Sequence, residues 1–216
     1  REAVNIAIGI RSDGGKEVLD FSVAPNENGE AWRELLESLR NRGIEQVQLF
    51  IADGFIGLEN VIAEIYPNAK FQRCLVHVLR NLTSHVRKSD MRDLMSEFKE
   101  IRQSESIEEA KQALDNFILK WKRKYNNQMR KLGKLSNLFT FYEFPPSIRA
   151  SIYSTNLIEA FNKKLKKKIR QKEQFPNEDA LQRFVTTQIL EYNDKFEERA
   201  HRGFRGSKDT LDSMFI

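Results

Sequence analysis

Two acids stand at positions from which a carboxylate can ligate a metal. Asp53 ends a nearly continuous apolar run, Val47-Gln48-Leu49-Phe50-Ile51-Ala52, and is followed by Gly54. Ligand and metal sites of α/β sheets collect at such strand ends. Glu159 closes Ser154-Thr155-Asn156-Leu157-Ile158-Glu159, near the start of a helical pattern whose apolar stripe is Ile158, Phe161, Leu165 and Ile169. At roughly 100° per residue, Lys163, Lys166, Lys167 and Arg170 fall within about 80° of Glu159, so acid and cations share one face. Carboxylate oxygens are what a hard divalent cation such as Mg²⁺ takes, and a cationic row beside them suits a phosphate backbone.

Each feature also has an ordinary reading. Asp53-Gly54 makes a turn, or caps a helix expected at about 57–66. Asn156 as N-cap with Glu159 three residues later is a capping-box arrangement. A lysine row is commonly a solvated helix face. Spacing alone leaves these alternatives open.

The bulk composition narrows the classes. A chain of 216 residues buries a real core and forms one or two domains, one of which could be a large insertion. Its single cysteine, Cys74, excludes the disulfide framework of a small secreted domain and suits a reducing cytosol. The longest apolar runs are a few residues, and Arg1-Glu2 opens no signal core, so no membrane association is expected. The absence of an initial Met suggests a piece of a longer protein. The net charge of +5 is compatible with a polyanionic partner. Its placement says more: Ala160 to Lys172 carries Lys163, Lys164, Lys166, Lys167, Lys168, Arg170 and Lys172 without an acid.

The elements that must position these residues read as α/β in the first third. Strands at 3–11 and 16–24 meet through Ser12-Asp13-Gly14-Gly15, a hairpin signal. Ala31, Leu35, Leu36 and Leu39 recur at helical spacing, with Gly43 placed to end that helix. The run 47–52 predicts a strand buried on both faces. A helix of roughly 57–66, Pro67-Asn68 and a short strand near 70–74 follow. From about 76 to 140 the pattern is helical, with Leu79, Val86, Leu94, Phe98, Ile101, Leu114, Phe117, Ile118 and Trp121 as apolar stripes. Beyond Phe144-Pro145-Pro146, helices are expected at about 155–171 and 178–198, separated by Phe175-Pro176-Asn177.

Four blocks together carry a resemblance. They are Ala52-Asp53-Gly54-Phe55-Ile56-Gly57-Leu58; Phe71-Gln72-Arg73-Cys74-Leu75-Val76-His77-Val78-Leu79-Arg80-Asn81; Pro145-Pro146-Ser147-Ile148-Arg149 with Ile152-Tyr153-Ser154-Thr155-Asn156-Leu157-Ile158-Glu159-Ala160-Phe161-Asn162; and Phe175-Pro176-Asn177. In this order they resemble the Mutator-type insertion-sequence transposases, a DDE family with an RNase H-like core, over nearly the whole chain. The resemblance implies an RNase H-like mixed-sheet core interrupted by a large all-α insertion, with a helix-rich C-terminal part. The corresponding divisions are 1–75 and 146–200 for the core, 76–145 for the insertion and 201–216 for a tail.

It also implies a function, DNA transposition and recombination by metal-dependent cleavage and strand transfer, and roles for residues. Asp53 becomes the second acid of the triad and Glu159 the third, 106 positions apart with the helical stretch between them. Both would be ligands in a two-metal Mg²⁺ or Mn²⁺ site, not protein nucleophiles. The first aspartate is expected on a strand before Val4. Asp13 lies in the hairpin turn and Asp20 on the second strand, Asp20 being the fallback. Without that acid these residues alone are not expected to catalyse strand transfer. The family's N-terminal DNA-binding region is also absent from these residues.

Lys163, Lys166, Lys167 and Arg170 would hold the DNA backbone, and Arg73 and Arg80 would face DNA or brace the site. Asn156 and Asn162 match the family block, where orienting Glu159, touching DNA, capping and surface roles all remain open. Cys74 and His77 share the family's spacing. Zinc normally takes four ligands and the other histidines are only His85 and His201, so packing where the last strand meets the helices is preferred. Expected partners are transposon-end and target DNA and further copies of the chain, in a homodimer or higher assembly. The expected place is the bacterial cytoplasm, with the nucleoid. Three other classes compete: an RNase H-like nuclease or resolvase that uses the same metals for hydrolysis alone, a non-catalytic DNA-binding remnant in which the acids are structural, and a helical interaction protein, favoured only if residues 1–75 form no mixed sheet.

Overall fold

Alternation of Val4, Ile6 and Ile8 with small or polar neighbours makes the first segment a half-buried strand, and its partner must follow at once through the glycine turn. The computed structural model of the chain describes residues 3–26, 28–55, 57–172 and 174–215. It is α/β and rich in helix. In order, the elements are β1 (Ala3–Ile10), β2 (Lys16–Ala24), α1 (Gly29–Asn41), β3 (Leu49–Ala52), α2 (Leu58–Ile65), β4 (Lys70–Arg73) and α3 (Leu75–Thr83). Then come α4 (Lys88–Ile101), α5 (Ile107–Lys122), α6 (Asn126–Leu132), α7 (Pro146–Ile152), α8 (Asn156–Arg170), α9 (Glu178–Phe196) and α10 (Lys208–Ser213). Ile56, part of the first family block, lies outside the described residues, as do Arg1 and Glu2.

Among the described residues the strands form two pairs, β1 with β2 and β3 with β4. The chain divides into two compact units. The first comprises Arg1–Phe50, Phe55–Ala69 and Thr155–Ile216; the second comprises Ile51–Gly54 and Lys70–Ser154.

In the first unit β1 and β2 run antiparallel, with Val4 opposite Val23 and Ile6 opposite Phe21. The register shifts between Ala7 and Ile8, where Ala7 faces Asp20 and Ile8 faces Val18. Leu19 is thus the extra residue of a bulge. The consequence is a change of phase: Val18 and Phe21 are an odd number of positions apart, yet both turn to the same side. There they pack with Ile6 on Phe161 and Leu165 of α8 and on Leu181, Val185, Ile189 and Tyr192 of α9. The turn is held by Gly14 at φ 90° and by the Gly15 amide donating to the Asp13 carboxylate, 2.7 Å, so Asp13 has a structural task. Asn28 caps α1 on the Ala31 amide, and Gly43, at φ 96°, ends it as expected.

Two expectations need correction. The strand ending at Ala52 begins at Leu49 and is only half-buried along its length, because among the described residues its one strand partner is β4. The segment 201–216, read as a tail, carries a 3-10 turn at Arg205–Ser207 and α10. Leu211 and Phe204 are buried there, Gln48 donates to the Leu211 carbonyl, and the His201 amide donates to Gly14, 2.7 Å. Apolar anchors too few to register as a periodic pattern are enough to dock a short segment.

The second unit is built on an aromatic row. Phe117 and Trp121 of α5 meet Phe98 and Tyr125, with ring centroids 5.8 to 6.4 Å apart. The polar ends of the large rings are satisfied: Trp121 donates to Glu97 and Tyr125 to Asp90. These bonds let amphipathic rings be buried without stranding a donor. Among the described residues no helix is long and apolar enough to cross a membrane.

Candidate functional site

Asp53 belongs to the second unit and is exposed immediately beyond β3. The backbone around it is fixed from β4. The Cys74 amide donates to Ala52 O, 2.8 Å, and the Arg73 amide to Asn137 O, 2.8 Å. Gly54 sits at φ 91°, a conformation that L side chains avoid. The Arg73 guanidinium reaches over it, donating to Gly54 O at 3.3 Å and to Ser136 O at 3.4 Å. A Cβ on Gly54 would stand 1.7 Å from Arg73 Nη1. Glycine therefore serves both the backbone turn and the close approach of the arginine. Gly54 thus takes the left-handed conformation directly after Asp53, while the N-cap of α2 is Gly57 rather than Asp53.

Behind Arg73, Gln72 is fully buried and uses all its polarity: it donates to Arg73 O, 2.7 Å, and Leu138 O, 3.0 Å, and accepts from the Phe141 amide, 2.9 Å. Gln72 was not singled out among the family-block residues. Nothing local in Lys70-Phe71-Gln72-Arg73 marks it, because its partners at Leu138 and Phe141 lie more than sixty residues further along the chain. Cys74 is 0% exposed at the start of α3, His77 is half-buried and Arg80 is exposed in the last turn of that helix.

Glu159 belongs to the first unit. It is half-buried in the first turn of α8. The capping box expected at Asn156 does not form: the N-cap is Thr155, without a side-chain cap, and Asn156 is the first helical residue. Thr155 Oγ1 instead stands 3.5 Å from Glu159 Oε1, at the outer limit of a hydrogen bond. Phe161 and Leu165 bury the opposite side of α8. Lys163, Lys166, Lys167 and Arg170 are exposed, and among the described residues no carboxylate lies within ion-pair distance of them; Lys168, on another side, pairs with Glu191 at 2.5 Å. Asn156 is exposed and Asn162 half-buried.

The sequence-predicted residues therefore fall into two sets, each within one unit: Asp53, Arg73, Cys74, His77 and Arg80 in the second, and Glu159, Asn156, Asn162 and the four cations of α8 in the first. A further group was not foreseen. Lys16 Nζ lies 4.1 Å from the centre of the Phe196 ring, with Arg199 at 5.8 Å and Lys195 at 6.0 Å from the same ring. Burial, then Arg199 and Lys164, pull the Lys16 ammonium below its ordinary pKa. No local pattern joins positions 16, 164, 195 and 199, so only the folded chain reveals them.

The chain matches the family model described as "Transposase, Mutator family" over residues 1–199. It is 49% identical over 215 residues to the transposase for insertion sequence element IS905 of Lactococcus lactis subsp. lactis (strain IL1403), covering 100% of this chain and 55% of that protein. It is likewise 49% identical over 193 residues to the transposase for insertion sequence element IS1201 of Lactobacillus helveticus, covering 89% of this chain and 52% of the relative. To the transposase for insertion sequence element IS256 in transposon Tn4001 of Staphylococcus aureus it is 27% identical over 197 residues, 90% of this chain and 50% of that protein. The chain thus spans about half the length of the curated relatives it matches.

Proposed function

We propose, on the premise that this chain belongs to the Mutator family of transposases, that it supplies Asp53 and Glu159 to a catalytic site for DNA transposition. The reaction is metal-dependent cleavage of DNA followed by transfer of the freed strand. The fold that goes with this reading is an RNase H-like core, 1–75 and 146–200, interrupted by an all-α insertion over 76–145. The observation that carries the proposal is the face of α8 on which the half-buried Glu159 lies beside four exposed cations with no acid at ion-pair distance among the described residues. A carboxylate next to unneutralised cations suits a polyanion whose phosphates reach the acid through a bound cation.

Carboxylate oxygen is the donor that Mg²⁺ or Mn²⁺ takes, so Asp53 and Glu159 fit in kind. Among the described residues no three His, Cys, Asp or Glu side chains gather as a metal site. In this reading the family's first aspartate completes the set. When bound, the two ions activate water or a 3′-hydroxyl and stabilise the leaving oxygen. In this reading Asp53 is presented from the end of β3, where the Cys74 amide donates to Ala52 O and Arg73 donates to Gly54 O. Lys163, Lys166, Lys167 and Arg170 hold phosphates and orient the strand without reading its sequence. Arg73, already spanning Gly54 O and Ser136 O, acts as a brace of the Asp53 loop.

The test is calorimetric titration of Mn²⁺ into the chain with duplex DNA present, for the parent, Asp53→Asn and Glu159→Gln. Loss of the ion-dependent heat in both variants, with the far-ultraviolet circular dichroism of the parent, supports one shared site. Parent-like binding in both variants removes the two acids from metal chemistry.

A further inference from the structure

The cations of the first unit do not all lie on the Glu159 face. Asn193 receives the Val18 amide at 2.8 Å and donates to the Val18 carbonyl at 3.0 Å, which ties the last turns of α9 to the start of β2. That tie sets Lys16, at the head of β2, over Phe196, at the end of α9. Lys195, in the last turn of α9, and Arg199, just beyond it, both approach the same ring. The Lys164 ammonium of α8 adds to the positive field that lowers the Lys16 pKa. Lys195, Arg199 and Lys164 are exposed, and among the described residues none of the four has a carboxylate at ion-pair distance.

Gathering like charges from three elements while half-burying one of them is unfavourable unless an anion is to be met. The face of Phe196 offsets only part of it, since a cation–π contact at an exposed site is worth about 0.5–1 kcal/mol. The charge continues past α9: a shallow depression of about 490 Å³ is lined by 198–203, Arg205 and Gly206, with Arg199 and Arg202 also among the cations and Glu198 as the one acid. A spread, open row of cations matches a repeating phosphate backbone better than a single small anion, which an enclosing pocket would hold.

We propose that Lys16, Lys164, Lys195 and Arg199 form a second DNA-backbone contact, on a side of α8 about 140° from Glu159. It takes duplex DNA by its phosphates, independently of sequence, and it rests on the reading that this chain acts on DNA. The α8 ladder then holds the strand at the acids while this patch holds a separate stretch of duplex.

Fluorescence anisotropy with a labelled duplex of arbitrary sequence, over a salt series, tests it. The variants are Lys16→Gln/Lys195→Gln/Arg199→Gln and, separately, Lys163→Gln/Lys167→Gln/Arg170→Gln. Each triple change should lower the slope of log affinity against log salt by about 2 to 3, since each lost phosphate contact removes about 0.9, and the two losses should add when combined. Should the first triple variant lose the parent's circular dichroism, Lys195→Gln/Arg199→Gln, which touches only exposed side chains, is expected to lower the slope by about 2. A patch variant with the parent's slope and affinity, beside a ladder variant that has lost both, overturns this proposal and leaves the DNA reading standing. A parent that binds no duplex at low salt overturns the DNA reading and this patch with it.

Discussion

Substituting Gly54 by alanine should strain the loop that presents Asp53, by an amount that depends on Arg73. At φ 91° the left-handed backbone costs an L residue roughly 1–2 kcal/mol. The new methyl would meet Arg73 Nη1 at 1.7 Å and Cζ at 2.8 Å, so the guanidinium has to swing away. Its hydrogen bond to Gly54 O, 3.3 Å, is then lost, at about 1 kcal/mol. Gly54→Ala should therefore destabilise the second unit by about 2–3 kcal/mol. With Arg73→Ala already in place, the clash and the hydrogen bond are gone, and Gly54→Ala should cost only the backbone share of about 1–2 kcal/mol. The assay is urea denaturation of the four proteins of this cycle in a Trp32→Phe background, followed by fluorescence of Trp121, which is buried in the same unit. A coupling of about 1 kcal/mol between the two sites supports the clamp. Strictly additive costs, or a Gly54→Ala protein as stable as the parent, would refute it. Arg73→Lys separates the clamp from a simple charge on DNA: lysine keeps the charge but cannot span two carbonyls with a planar fork, so it should not restore stability.

Two further outcomes are expected in the first unit. The Tyr192 hydroxyl is buried without a hydrogen-bond partner among the described residues, and burial raises its pKa. Tyr192→Phe should leave the denaturation midpoint unchanged or raise stability by up to about 1 kcal/mol, and a loss of that size would mean the hydroxyl is satisfied after all. The His201 imidazole is held below its ordinary value of 6.5 by burial and then by Lys16. The unfolded chain takes up this proton as pH falls through 6.5 while the folded chain resists, so the contribution is fully present above 6.5 and is lost below it. Denaturation midpoints measured from about pH 7 down to about pH 5 should fall, and less steeply in His201→Gln; identical slopes in both proteins would exclude His201 as the source.

Much of the local architecture was legible from spacing. Glycines between two alternating runs specify the β1–β2 hairpin, and Ala31, Leu35, Leu36 and Leu39 specify α1, because both periods are properties of neighbouring residues. The basic face of α8 was legible for the same reason, as was the exposed acid after β3. Boundaries of a single residue were not: whether Thr155 or Asn156 caps α8 turns on backbone angles that propensity does not resolve.

The sequence by itself determined which faces are apolar, where the chain must turn, and which acids and cations share a helical face, since these follow from periods of two and 3.6 residues. Only the tertiary structure decided the rest. The bulge at Leu19 brings Val18 and Phe21 to one side because the hairpin has a core to cover. Gln72 finds its partners at Leu138 and Phe141, Arg73 closes over Gly54, and Lys16 meets Phe196. Each of these joins groups far apart along the chain, and nothing short-range favours one such pairing over another until the buried faces have closed and left those polar and charged groups in reach of each other.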